Sequence, residues 1–169
     1  MRKSEAGKLE AELKKAAELA RKGVIDIDKV LPAFEKAESN IVAFRQEIIK
    51  KFGKTEGWEK IEKMGIGHIS HDEYNLTITL DDAYFLNMCT ICLVNVRERL
   101  RKVKNLEEAF ECTSLKNKIF SLAEERGKKC GNPRLYVPLT AYHMGIDSAW
   151  SDAMKRIGKP EFCWKHYRG

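Results

Sequence analysis

The chain has 169 residues, of which 43% are hydrophobic and 33% are charged, and its formal net charge is +6. These proportions exclude a disordered polar chain, and the length suits one domain with a substantial core. No stretch reaches the roughly 18 uncharged apolar residues of a membrane-spanning helix, so we expect a cytoplasmic protein without membrane contact.

The first third of the chain is dominated by the apolar spacing of helices. Ser4 is a favourable N-cap for a first helix, which is expected to end near Lys22. Two further helices are predicted over 28–38 and 41–52, followed by a short helical segment before Gly65.

A small antiparallel β-hairpin is predicted over about 66–80, because apolar and polar residues alternate strictly at its end. Thr79 and Asp82 then form a capping pattern for the longest helix, predicted over about 81–104. In the first part of this helix, 11 of the 14 residues from Ala83 to Val96 are apolar. A helix that is apolar all round lies in the centre of a bundle or at a partner interface.

Two more helices are predicted after the central one, capped by Asn105 and by Ser114, and the second is expected to end at Gly127. The fold class that follows is mainly α, a single-domain bundle around the 81–104 helix with one hairpin. We divide the domain into a helical core with the hairpin, 1–126, and a loop with a C-terminal helical appendage on the same core, 127–169.

The C-terminal half of the chain is basic, since residues 97–169 carry 16 basic and 9 acidic side chains. Within it, the segment around Ala141 and Gly145 has the spacing of a degenerate helix-turn-helix, with Gly145 at the turn and Asp147 capping the second helix. A simple packing corner between two helices is the alternative, because any corner with a glycine turn has similar spacing.

The second helix of this segment would expose polar and basic residues that can reach bases or phosphates. The last residues of the chain add further cations between aromatic side chains. These residues can bind nucleotides, or they can equally be a C-terminal anchor that packs onto the core. The predicted polyanion-binding residues are Ser148, Ser151, Lys155, Arg156, Lys165 and Arg168.

A minority prediction concerns zinc. The pairs His68-x-x-His71 and Cys89-x-x-Cys92 offer suitable ligand types. The cysteine pair lies inside the most apolar predicted helix, however, where Cys acts as a small hydrophobic residue. We therefore expect no cofactor, and the odd total of five cysteines favours reduced thiols.

The sequence predicts a non-enzymatic binding protein for nucleic acid, a nucleotide or another phosphate-bearing polyanion. The alternative is a small protein-interaction module, an inhibitor or adaptor, that binds a protein partner or a second copy through an apolar or amphipathic helical face. Phosphate-binding glycine loops, nucleophile elbows and metalloprotease motifs are absent from the sequence. An enzyme with an unrecognised site is the remaining alternative.

Overall fold

The computed structural model describes a backbone and a slightly smaller set of side chains. The backbone covers 2–21, 27–71 and 76–163, and the side chains cover 4–21, 27–67 and 78–163. This part of the chain is mainly α-helical, with six α-helices and one antiparallel pair of strands, which confirms the predicted class. No helix within it is long and apolar enough to cross a membrane.

Helices α1, α2 and α3 cover Arg2–Arg21, Ile27–Phe52 and Lys54–Lys63. The predicted break after residue 38 is wrong, because Ser39 and Asn40 are exposed in the middle of a continuous α2. Exposed polar residues cost a helix only a few tenths of a kcal/mol each. An unbroken buried stripe continues across this point and outweighs that cost: Val30, Phe34, Ala37, Ile41, Phe44 and Ile48.

The predicted hairpin is confirmed. Strand β1, His68–His71, pairs antiparallel with β2, Leu76–Thr79, and Ile69 lies opposite Ile78. The backbone N–H of Asp82 donates to the Thr79 hydroxyl over 3.2 Å, so the predicted cap of the next helix is also present.

Helix α4 covers Leu80–Leu100, and Arg99 is the only fully exposed residue along it. This burial confirms the prediction of a central core helix. The helix ends at Leu100 rather than near 104, where a turn closes with a hydrogen bond from the Lys102 N–H to the Arg99 carbonyl, 2.9 Å.

Helix α5 covers Leu106–Lys129 without the predicted interruption at Ser114. Its cap is as predicted, since Asn105 Oδ1 accepts from the Glu108 N–H at 2.9 Å. Gly127 does not end the helix, and its role is one of close approach instead. A Cβ at that position would lie 2.5 Å from the carbonyl oxygen of Asn132, so only glycine lets the following turn fold back here.

After that turn a 3-10 helix, Val137–Tyr142, leads into α6, His143–Arg156, and a short 3-10 helix covers Pro160–Phe162. The chain divides into two compact units. The first comprises the described residues of Met1–Lys22 and Asp28–Met88, and the second those of Gly23–Ile27 and Cys89–Gly169. The division of the domain proposed at residue 127 stays a prediction.

Candidate functional site

Helix α6 carries four of the predicted polyanion-binding residues: Ser148, Ser151, Lys155 and Arg156. Three of them are exposed, and Ser151 is half-buried. The opposite side of the helix is buried as predicted and consists of Ala149, Trp150, Ala153 and Met154. Lys165 and Arg168 lie outside the described residues.

The predicted helix-turn-helix is wrong. Helix α6 begins at His143 and runs through Gly145, which is not among the glycines of the described residues that have positive φ. A glycine inside a helix costs up to about 1 kcal/mol, so neighbouring contacts must hold the helix there. The side chain of Arg97 lies nearby, and its Cδ would be 3.4 Å from a Cβ added to Gly145.

Arg156 joins the end of α6 to the end of α4. Its Nη2 atom donates to the carbonyl oxygens of Leu100, at 3.1 Å, and of Val103, at 2.7 Å. The last carbonyls of a helix have no partner within the helix and carry partial negative charge, so a guanidinium is well suited to them. Arg156 therefore holds together two segments that are 53 and 56 residues apart in sequence.

These two hydrogen bonds bring two basic stretches to one place. We call their cations the basic cluster: Arg97, Arg99, Arg101, Lys102, Lys104, Lys155, Arg156 and Lys159. All of them are exposed except Arg97, which is half-buried. The stretches 97–104 and 155–159 contain eight basic residues and one acidic residue, Glu98.

Part of the basic cluster is engaged with carboxylates. Glu98 contacts Arg101 at 2.9 Å and Arg97 at 3.4 Å, and Glu111 lies 3.9 Å from Arg99. The four lysines of the basic cluster differ from these arginines, because no carboxylate oxygen of the described residues lies within 4.0 Å of their ammonium groups. These lysines are Lys102, Lys104, Lys155 and Lys159.

Trp150 fixes α6 from its buried side. The indole is fully buried, and its Nε1–H donates to the carbonyl of Phe162 at 2.7 Å. Its ring lies 5.4 Å from that of Phe110 on α5, in a tilted arrangement. A large aromatic residue with its polar atom satisfied is a rigid anchor, so the exposed face of α6 has a defined orientation within its unit.

The sequence identified Lys155 and Arg156 of the basic cluster, on α6, and missed Lys159 and the five cations at the end of α4 and just after it. The charge run RERLRKVK was visible as the point where α4 leaves the core. Its position beside Lys155 depends on the hydrogen bonds of Arg156 to Leu100 and Val103, which connect distant segments and have no local sequence signal.

Of the four candidate zinc ligands, only the two cysteines have side chains that the structure describes. Cys89 and Cys92 are completely buried one turn apart in α4, and burial raises the pKa of the Cys89 thiol. The side chains of His68 and His71 lie outside the described set, so the zinc site stays a prediction. All five cysteines lie in the described part and none forms a disulfide.

Burial is shared by four of the five cysteines, all of which lie in the described part of the chain. Cys112 is buried on α5, where loss of solvent raises its pKa to about 11. Cys163 is also buried, whereas Cys130 is exposed after the end of α5. Four of the five thiols are therefore covered in the folded chain.

An acidic cluster lies in the first unit, where carboxylate oxygens of Glu38, Asp81 and Asp82 lie within 4.8 Å of one another. Arg45 contributes positive charge there, since its Nη1 lies 2.7 Å from Asp81 Oδ1. Burial by itself would raise the pKa of Asp81, but the Arg45 guanidinium and the Thr79 hydroxyl lower it below its ordinary value. The arrangement is a compensated buried ion pair.

No family model, curated protein or solved structure matches this chain.

Proposed function

We propose that the protein is a non-enzymatic binder of phosphate-bearing polyanions, with nucleic acid as the favoured class, and that the basic cluster is its contact surface. The observation that carries this proposal is the pair of hydrogen bonds from Arg156 to the carbonyls of Leu100 and Val103. They unite two basic stretches whose cations are individually unremarkable into one patch of positive charge.

The free energy of such binding would come mainly from the lysines. Each ammonium group without a carboxylate neighbour can neutralise a phosphate, and the release of the cations condensed around that phosphate drives association. Lys102, Lys104, Lys155 and Lys159 meet this condition among the described residues. The arginines paired with Glu98 would contribute less, because a phosphate must first compete with that carboxylate.

The test compares two variants that lose the same charge. The first replaces the four lysines of the basic cluster with glutamine, and the second replaces four exposed lysines of the first unit: Lys29, Lys36, Lys54 and Lys63. Binding to a labelled DNA duplex, a single strand and heparin is measured over a range of salt concentrations.

We expect the first variant to lose affinity for all three probes and the second to keep most of it. The slope of log K against log salt should become shallower by about 0.9 for each lost duplex contact and by about 0.7 for each single-strand contact. Equal losses in both variants would mean that net charge alone governs binding and would refute the basic cluster as the contact surface. Absence of binding by the unmodified chain would refute the function.

Arg156→Lys tests the geometry separately from the charge. The variant keeps the positive charge but has no guanidinium to serve both carbonyls, so the two basic stretches lose their connection. We expect weaker duplex binding than in the unmodified chain at equal net charge. If Arg156→Lys weakens the packing of α6 but leaves duplex binding unchanged, the connection between the two basic stretches is unimportant for binding.

Ser151→Ala addresses sequence preference, which phosphate contacts do not provide. If α6 reads base edges, this variant should change the ranking of different duplex sequences while leaving average affinity nearly unchanged.

The other predicted function, a protein-interaction module, gains no specific support, since the apolar residues of α4 are buried or half-buried within the described part.

A further inference from the structure

Lys116 is a lysine at a buried position of α5. It occupies the buried stripe of the helix together with Cys112, Ile119 and Ala123, and it is only 6% exposed. Buried lysines are rare unless they are paired, because an ammonium group loses its hydration when it leaves water. Within the described residues, no hydrogen bond and no carboxylate oxygen within 4.0 Å compensates this one.

Lys116 lines a cleft of about 310 Å³, near the lower end of the volumes typical of small-molecule sites. The cleft is also lined by Asn117, Ser121 and Tyr136, which offer neutral hydrogen-bonding groups. The cleft therefore combines one cation, the carboxylate of Glu124 and a few neutral polar groups.

One wall of the cleft is aromatic. His143, at the start of α6, stacks on Phe120 of α5 with ring centroids 4.3 Å apart and planes 6° from parallel. Burial and the neighbouring charge of Lys116 lower the pKa of His143, despite the opposite influence of Asp147, so the imidazole is neutral at pH 7. The stack is thus an uncharged flat surface, and Lys116 is the cation of the cleft.

The ammonium group of Lys116 is the feature of the cleft that would attract an anion. Burial lowers its pKa, and the carboxylate of Asp147 opposes this shift. Glu124 also lines the cleft, but its side chain is exposed and solvated. An anionic oxygen at the ammonium would supply the charge-assisted hydrogen bond that no described residue provides.

We infer that this cleft is a binding site for a small organic anion, with its carboxylate or phosphate on Lys116 and a planar body beside Phe120 and Tyr136. The site is separate in sequence and chemistry from the basic cluster, because it accepts one small charged group in a cleft beside a single lysine. It does not depend on the proposed polyanion binding.

The experiment is isothermal titration of the full chain with benzoate and phenyl phosphate, using benzamide as the uncharged analogue of benzoate. We expect saturable binding of at least one anion and binding of benzamide at least about tenfold weaker, since a charge-assisted hydrogen bond contributes on that scale. Benzamide binding as tightly as benzoate, or no saturable binding of either anion, would overturn the proposal.

Lys116→Met and Lys116→Arg locate the site. The methionine variant keeps the volume of the side chain without its charge and should lose at least about tenfold in affinity, while the arginine variant should retain part of it. Lys118→Met, two residues along the same helix and exposed, is the matched control and should bind normally. Retention of anion binding by Lys116→Met would refute the assignment.

A second measurement stands apart from the folding of any variant. In amide NMR spectra of the unmodified chain, benzoate should shift the resonances of residues around Lys116, Phe120, Tyr136 and His143. The variant lacking the four lysines of the basic cluster should keep its benzoate affinity. Shifts confined to the basic cluster, or loss of benzoate binding in that variant, would show that the anion binds there and not in the cleft.

Discussion

Arg45 and Lys116 are both buried cations, but their surroundings differ. Arg45 lies in the first unit, where its Nε donates to the Ile66 carbonyl at 2.7 Å and its Nη1 contacts Asp81 at the same distance. Only its Nη2 makes no hydrogen bond within the described part of the chain. Lys116, in the second unit, faces a cleft and has no such partner among the described residues.

The difference separates a structural charge from one that is available to a ligand. A buried charge costs several kcal/mol unless nearby groups replace the water it has lost. For Arg45 the chain itself supplies those groups, so the residue stabilises the packing of α2 against the start of α4. For Lys116 the compensation comes from outside the chain, from water in the cleft or from a ligand that replaces this water.

The largest expected effect is on the compensated pair. Arg45→Met leaves the Asp81 carboxylate buried without its partner and should lower the free energy of unfolding by about 3–5 kcal/mol. Urea denaturation followed by circular dichroism measures the loss. A cost below about 1 kcal/mol would indicate that Asp81 gains water in the variant and that the pair is effectively a surface one.

Acidification should weaken the same pair without any substitution. Because Arg45 lowers the pKa of Asp81 in the folded state, its stabilisation is fully present above the unfolded pKa, about 4, and is lost as pH falls through the lower folded value. Urea denaturation at successive pH values down to about pH 2 should show this loss. Asp81→Asn, measured in parallel, should lack the part of the pH dependence that this carboxylate causes.

Lys116→Met should have the opposite sign. Removing a buried charge without an internal partner, at nearly constant volume, should raise the free energy of unfolding by about 1–2 kcal/mol. For a chain of this size that corresponds to a melting temperature higher by about 2–8 °C. A destabilised variant would mean that Lys116 has a compensating interaction after all and that the contrast with Arg45 fails.

Gly145→Ala has the smallest expected effect and tests the helix that places His143 and Asp147 near Lys116. In a continuous α6, alanine should stabilise the fold by about 0.5–1 kcal/mol, because its Cβ would make an ordinary 3.4 Å contact with Arg97. In a left-handed turn, the same change would be destabilising. A lower melting temperature would therefore support the turn at Gly145 that the sequence predicted.

The sequence predicted the existence and faces of the helices well, because a buried stripe such as Ala149, Trp150, Ala153 and Met154 repeats with the helical period. Joined helices were harder to predict. Ser39 in α2 and Ser114 in α5 have the side chains of N-caps, but both lie inside helices whose apolar stripes continue past them. Local capping preference is weaker than sustained burial of one face.

The candidate sites show the same limit at longer range. Lys155 was predictable as an exposed cation on an amphipathic helix. The cations near it, at the end of α4 and just after it, are brought there by hydrogen bonds from Arg156 to carbonyls more than fifty residues away in sequence. The sequence contains one sign that Lys116 is buried, because Lys116 lies at the helical spacing of the apolar positions Cys112 and Ile119 in the buried stripe of α5. The charge of lysine made it look like a surface residue, and only the packed structure identifies it as buried.

The reactivity of the five thiols reports where the folded chain opens transiently. A thiol reagent added to the folded protein can reach Cys130 at once, whereas the other four cysteines react only when the structure around them opens. Counting modified sites over time would thus separate fluctuations of α4, through Cys89 and Cys92, from those of α5, through Cys112. Slower labelling of Cys112 with benzoate present would register ligand binding as a change in the dynamics of the helix that carries Lys116.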